Sequence, residues 1–123
     1  MAVTARQIMT SDVVTARPSW KVEEVTRVLH EHDISGLPVI DEEKRVIGIV
    51  TEADILARKT GQDTAEQIMS SPVHTVSEET QLEEIASLLA DNKIKRVPVV
   101  REAKLVGIVS RADIVGALAS RRQ

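Results

Sequence analysis

The strongest constraint on this chain is that it is written twice. Ile8-Met9-Thr10-Ser11 returns sixty positions later as Ile68-Met69-Ser70-Ser71, and at the same offset Ile34-Ser35-Gly36-Leu37-Pro38-Val39 returns as Ile94-Lys95-Arg96-Val97-Pro98-Val99. One residue is then lost. Gly48-Ile49-Val50-Thr51-Glu52-Ala53-Asp54-Ile55 returns as Gly107-Ile108-Val109-Ser110-Arg111-Ala112-Asp113-Ile114, at an offset of fifty-nine. Three segments in one order, with a single deletion among them, are the signature of an internal duplication. The fold must therefore build one small unit twice, with domains expected over residues 4–60 and 64–120.

Each copy reads as strand, helix, strand, strand, helix. A short strand (Val13-Val14-Thr15; Val73-His74-Thr75) leads to an amphipathic helix. Its apolar face is Val22, Val25, Val28 and Leu29 in the first copy and Leu82, Ile85, Leu88 and Leu89 in the second, the spacing of a helix that buries one stripe. Thr80-Gln81-Leu82-Glu83 reads as a capping box. In the first copy Trp20 stands where Thr80 does, so Ser19 is the expected N-cap and Trp20 a staple for the preceding loop rather than a dimer contact. Leu37–Ile40 with Val46–Val50, and Val97–Val100 with Leu105–Val109, are expected to pair as antiparallel hairpins across the charged turns Asp41–Arg45 and Arg101–Lys104. The deletion falls in this turn, where length changes are best tolerated. A last helix starts at Thr51 or Ser110, and Arg58–Asp63 links the copies. Neither half can bury its helices alone. The expected fold class is mixed α/β (α+β): two β-α-β-β-α repeats, related by a pseudo-twofold axis and packed as one module.

Composition narrows the function classes. Apolar residues make up 42 % and charged residues 28 %, an ordinary globular balance, but Phe and Tyr are absent and Trp20 is the single aromatic. The core must come from Val, Ile, Leu, Ala and Met, and no aromatic platform exists on which bases of a single strand could stack. The net charge of −3, with scattered Lys and Arg, speaks against a phosphate-backbone binder. Cysteine is absent, which removes disulfides, thiolate catalysis and Cys-based metal sites. Met1–Arg6 lacks the apolar stretch of a signal peptide, and no run of about eighteen apolar residues occurs, so a cytoplasmic protein without membrane contact is expected. His30 and His32 do not face together on a helix and His74 lies in the other copy, so no metal is expected. There is no nucleophile elbow, metal motif or P-loop, hence no catalytic residue and no enzyme. Arg121-Arg122 reads as a solvated end.

The chemistry-bearing motif is Gly48-Ile49-Val50-Thr51-Glu52-Ala53-Asp54 with its second copy ending in Ser110 and Asp113. A hydroxyl residue closes a strand and a carboxylate follows in the first helical turn. The plain reading is helix capping, with the carboxylate near the positive end of the macrodipole. The second reading uses the same geometry. Free N–H groups and a hydroxyl at a helix start suit a phosphate, and a carboxylate one turn away can accept both hydroxyls of a ribose. The two readings are compatible. Lys95-Arg96, absent from the first copy, either neutralises phosphate or is a solvated basic pair.

This order of strand, helix, Pro-containing strand and a Gly-hydrophobic-x-Ser/Thr-x-x-Asp ending resembles the cystathionine-β-synthase (CBS) domain. Two copies in tandem resemble a complete CBS pair, or Bateman module, from about Thr4 to Ala119. The resemblance implies two clefts between the halves, each taking ribose and phosphate contacts from one copy and adenine contacts from the other. One cleft would hold Arg96, Ser110 and Asp113, with Asp12, Val13, Ile34 and Ser35 on the adenine side. The other would hold Thr51 and Asp54, with Pro72, Val73, Ile94 and Lys95. Gly36 stands where Arg96 does, so phosphate has less to hold it in the second cleft.

The function so implied is regulatory: an AMP, ADP, ATP or other adenosyl ligand is bound, and its presence is reported as an energy or ligand signal to an effector protein in trans. A homodimer is implied as well, and no catalytic cofactor. The alternatives left open are an interaction scaffold whose clefts hold no ligand and a nucleic-acid-associated module.

Overall fold

Two separate apolar clusters organise the chain in the computed structural model, which describes residues 2–120. Arg121 and Arg122 lie outside the described residues. In chain order the elements are α1 (Ala5–Ile8), α2 (Val22–Glu31), β1 (Gly36–Ile40), β2 (Val46–Thr51), α3 (Glu52–Ala57), α4 (Ala65–Ile68), β3 (Val76–Ser77), α5 (Leu82–Asn92), β4 (Arg96–Arg101), β5 (Lys104–Ser110) and α6 (Arg111–Ser120). The class is mixed α/β. No helix among the described residues is long and apolar enough to cross a membrane.

The compact units are not cut where the sequence repeats. One consists of Val14–Val73; the other joins the residues up to Val13 with those from His74 onward. The Ile-Met-Thr/Ser segment that opens each copy thus packs into the unit built by the other copy's hairpin. The reason is a methionine and a glycine. A Cβ placed on Gly107 would collide with Met9 Sδ and Cγ, and one on Gly48 with Met69 Sδ and Cγ. Each methionine lies where only a missing side chain leaves room.

Within the 14–73 unit, β1 and β2 pair antiparallel from Gly36↔Thr51 to Ile40↔Val46, with a bulge at Val39/Ile40. Within the other, β4 and β5 pair antiparallel from Arg96↔Ser110 to Arg101↔Lys104, with the matching bulge at Val99/Val100. Both hairpins stand where the apolar runs on either side of the charged turns place them. The longer turn is closed by Asp41, whose Oδ1 accepts the Glu43 and Arg45 N–H groups, each at 2.9 Å, and Lys44 turns the chain at φ 66°. The shorter turn places Glu102 and Ala103 at φ 52° and 70°, the paired left-handed residues of a two-residue hairpin loop. This is how the deletion is absorbed.

The leading strands pair later than expected. The residues that pair with β1 and β4 are Ala16, in an isolated parallel bridge to Val39, and β3, parallel to β4 at Val76↔Val99. Val13–Thr15 and Val73–Thr75 stay outside the ladder. Proline is the cause. The bridge uses Ala16 N–H to the Pro38 carbonyl and Ile40 N–H to the Ala16 carbonyl, both 2.9 Å. One step earlier, a parallel ladder would need an N–H from Pro38 or Pro98, which proline lacks.

The helices bury the predicted stripes: Val22, Val25 and Leu29 on α2; Leu82, Ile85 and Leu89 on α5, with Val28 and Leu88 half-buried. Burying each such side chain contributes roughly 1.5–3 kcal/mol. Their caps differ from expectation. The N-cap residues are Lys21 and Gln81, and neither side chain caps. Backbone carbonyls serve instead, Asp63 for the Val22 N–H at 2.9 Å and Val3 for the Leu82 N–H at 2.8 Å. Thr80 Oγ1 accepts the Ser77 N–H at 3.0 Å and so shapes the approach to α5. Trp20 packs against the core of its own unit, and its carbonyl receives the Ala65 N–H at 2.8 Å.

Candidate functional site

Each unit presents the same constellation where its hairpin runs into a helix. Thr51 is the N-cap of α3 and stays extended at φ −118°. Its N–H donates to Asp54 Oδ2 at 2.9 Å and its hydroxyl donates to the same oxygen at 3.1 Å, while Asp54 N–H reaches Thr51 Oγ1 at 3.4 Å. In the second copy the Ser110 N–H and hydroxyl donate to Asp113 Oδ2 at 2.8 and 3.1 Å, and Asp113 N–H reaches Ser110 Oγ at 3.3 Å. The capping reading is therefore correct in its geometry, as a reciprocal box. It leaves the second oxygen of each carboxylate outside the box.

The helix-start donors are more committed than the sequence suggests. The Glu52 N–H is taken by the Ser35 carbonyl at 2.9 Å and the Arg111 N–H by the Lys95 carbonyl at 3.0 Å. With the N–H groups of Asp54 and Asp113 also engaged, Ala53 and Ala112 carry the first-turn N–H groups that have no acceptor among the described residues. An anion would meet one open donor per junction rather than a cradle.

Of the expected contact residues, Asp12, Val13, Ile94, Lys95, Arg96, Ser110 and Asp113 fall in one unit, and Ile34, Ser35, Thr51, Asp54, Pro72 and Val73 in the other. Ser35 and Lys95 are drawn to the carboxylate junctions by their carbonyls, and Arg96 by its pairing with Ser110. Asp12 is exposed and Val13 half-buried; Pro72, which follows a cis peptide bond, is exposed and Val73 half-buried. Because the ladder starts late, Val14, Thr15, Val73, His74 and Thr75 make no backbone-to-backbone hydrogen bond among the described residues. These are open backbone donors and acceptors beside Val13 and Pro72.

The electrostatics of the two junctions differ. Lys95, Arg96 and Arg111 adjoin Ser110 along the chain and across the strand pair, and Arg111 Nε donates to the Ile94 carbonyl at 3.3 Å. Ser35, Gly36 and Glu52 hold the matching places beside Thr51–Asp54. The sequence reading missed one neighbour. Ser70 Oγ donates to Asp54 Oδ1 at 3.2 Å, a contact foreshadowed only by Ser70 lying in the repeated Ile-Met-Thr/Ser segment. No cluster of three or more His, Cys, Asp or Glu suited to a metal occurs among the described residues.

The CBS domain family matches at residues 5–61 and again at 65–120. An uncharacterized 17.7 kDa protein of Acidianus ambivalens is 33 % identical over 122 residues, covering 96 % of this chain and 74 % of that protein. The inosine-5'-monophosphate dehydrogenase of Methanocaldococcus jannaschii is 33 % identical over 112 residues, covering 90 % of this chain but only 23 % of the enzyme. Among solved structures, CBSX2 in complex with AMP, a protein of Arabidopsis thaliana, aligns with a TM-score of 0.92 at 31 % identity and 98 % coverage of both chains. The CBS domain pair of protein MJ0100, in complex with 5'-methylthioadenosine and S-adenosyl-L-methionine, aligns with a TM-score of 0.89 at 30 % identity, covering 98 % of this chain and 99 % of that one.

Proposed function

This chain belongs to the CBS-domain family, and from that premise we propose that it is a regulatory module that binds an adenosine-containing ligand at its two Ser/Thr–Asp junctions. The observation that carries the reading is the pair of carboxylates. Each is held at a helix start by two donors on Oδ2, which fixes its direction and leaves Oδ1 turned out of the box. A preoriented carboxylate oxygen is what a vicinal diol needs as an acceptor. The unpaired backbone beside Val13 and Pro72 supplies donors and acceptors of the kind a base edge needs. Arg96, with Lys95 and Arg111, favours a phosphorylated ligand at the Asp113 junction; the Asp54 junction, with Gly36 and Glu52, favours one without phosphate. The solved relatives that hold AMP, or 5'-methylthioadenosine with S-adenosyl-L-methionine, support adenosine as the common chemical denominator.

The reading contains no catalytic step. Occupancy is the output: the ligand acts on an effector protein by shifting a conformational equilibrium, and only to the extent that it binds the two states differently. The test is a thermal-shift screen of AMP, ADP, ATP, S-adenosyl-L-methionine and 5'-methylthioadenosine. At about a hundred times its dissociation constant, a ligand adds roughly 2.7 kcal/mol, on the order of 8 °C in Tm for a chain of this size. A melt unmoved by every adenosyl compound at millimolar concentration would refute the reading in favour of a scaffold.

A further inference from the structure

Thr10 and Ser70 hold the same place in the two copies. Thr10 exchanges backbone hydrogen bonds with Ile108 at 2.9 and 3.0 Å, and Ser70 with Ile49 at 2.9 and 3.1 Å, so each is pinned to the strand that leads into a carboxylate. Their side chains part there. Ser70 Oγ donates to Asp54 Oδ1, whereas Asp113 receives donors on Oδ2 alone among the described residues. Both oxygens of Asp54 are engaged, and one oxygen of Asp113 stays available. The two residue types supply the difference: threonine's branched Cβ restricts χ1, while serine turns its hydroxyl freely towards a nearby carboxylate.

We propose that Ser70 is a latch on the Asp54 carboxylate that handicaps ligand binding at that junction and so reinforces the order in which the two junctions fill. A ribose diol reaches Asp113 directly; at Asp54 it must first displace the serine hydroxyl. The latch is a property of the protein alone, while the filling order rests on the ligand reading above. Exposed and 3.2 Å long, this hydroxyl-to-carboxylate bond falls below the full charge-assisted range and corresponds to about a threefold to tenfold handicap.

Two measurements on the full chain separate these parts. Calorimetric titration with AMP should resolve a tighter and a weaker site in the wild type. Ser70→Ala should tighten the weaker site about threefold to tenfold and leave the other within twofold. Equal sites in the wild type, or a weaker site that Ser70→Ala fails to tighten, would overturn the filling order. The second measurement needs no ligand. Urea unfolding of Ser70→Ala, Asp54→Asn and the double variant should give a coupling of at least about twofold in the unfolding equilibrium, and the Thr10→Ala, Asp113→Asn cycle none. Absent coupling in the first cycle overturns the latch whatever AMP does. Intact coupling with no AMP bound by any variant overturns the ligand reading, and the filling order with it.

Discussion

At the scale of single residues, the two aspartates carry both a fold role and the proposed ligand role, and the geometry allows them to be separated. Oδ2 serves the box, so a residue that keeps one acceptor oxygen keeps most of the cap. Asn keeps an acceptor for the box, and the first-turn charge it removes contributes only about 0.3–1 kcal/mol at a helix N-terminus. Asp113→Asn should therefore change unliganded stability by less than about 1 kcal/mol. It removes the charge that would accept ribose hydroxyls, and charge-assisted bonds contribute about 1.5–3 kcal/mol, so affinity at that junction should fall roughly tenfold to a hundredfold. Asp54→Asn should do the same at its own junction only. Arg96→Ala should weaken AMP far more than adenosine, because phosphate is its proposed partner. Calorimetry with both ligands checks all three. Unaltered affinity in both aspartate variants, together with a large loss of stability, would leave these carboxylates with the fold alone.

At the scale of elements, the duplication, the two hairpins and the two buried stripes were legible because each is written in local spacing. Val22, Val25 and Leu29 recur at helical intervals, and the strands are short apolar runs on either side of charged turns. The cut between compact units was not legible, since nothing in Ile8-Met9 says that the methionine docks on Gly107 rather than Gly48. The late start of the first strands was written in Pro38 and Pro98, but could be read only by knowing that the pairing is parallel and on that side. The caps of α2 and α5 are not written locally, because carbonyls distant in sequence reach the helix starts. Those carbonyls belong to segments that need anchoring, and Glu78 anchors one of them. It is almost fully buried and takes Arg101 through two bonds, Nε at 2.7 Å and Nη2 at 2.8 Å, with Arg6 Nε at 3.4 Å. The Arg101 hydrogen bond, assisted by Arg6, outweighs burial and lowers its pKa to about 2. A carboxylate depressed in the folded state stabilises the fold above its ordinary pKa, and that stability is lost as pH falls from about 4.5 towards 2. Urea midpoints should therefore drop through this window, and Glu78→Gln should be less stable at pH 7 and show a shallower acid drop. An unchanged acid profile in Glu78→Gln would mean that other carboxylates govern it.

At the scale of the whole molecule, the same economy that makes the core aliphatic leaves apolar side chains outside it. Leu56 on α3 is 86 % exposed, and Val115 and Leu118 on α6 are 65 % and 44 % exposed. These are the final helices of the two copies, so the exposure repeats with the repeat. Single exposed leucines are ordinary, but large apolar residues on both terminal helices of a small chain favour association. With net charge only −3, little repulsion opposes it. We expect a homodimer that covers these helices. Burying a leucine or valine side chain contributes roughly 1.5–3 kcal/mol, and in a symmetric pair each is buried twice. Replacing Val115 and Leu118 together by Ser should therefore weaken association by well over tenfold, while the cores, to which neither residue belongs, keep the fold. Light scattering at tens of micromolar should give twice the monomer mass for the wild type and the monomer mass for the variant. A monomeric wild type at that concentration, with and without AMP, would show that these helices stay in water. Any signal to an effector would then have to leave the molecule from one chain alone.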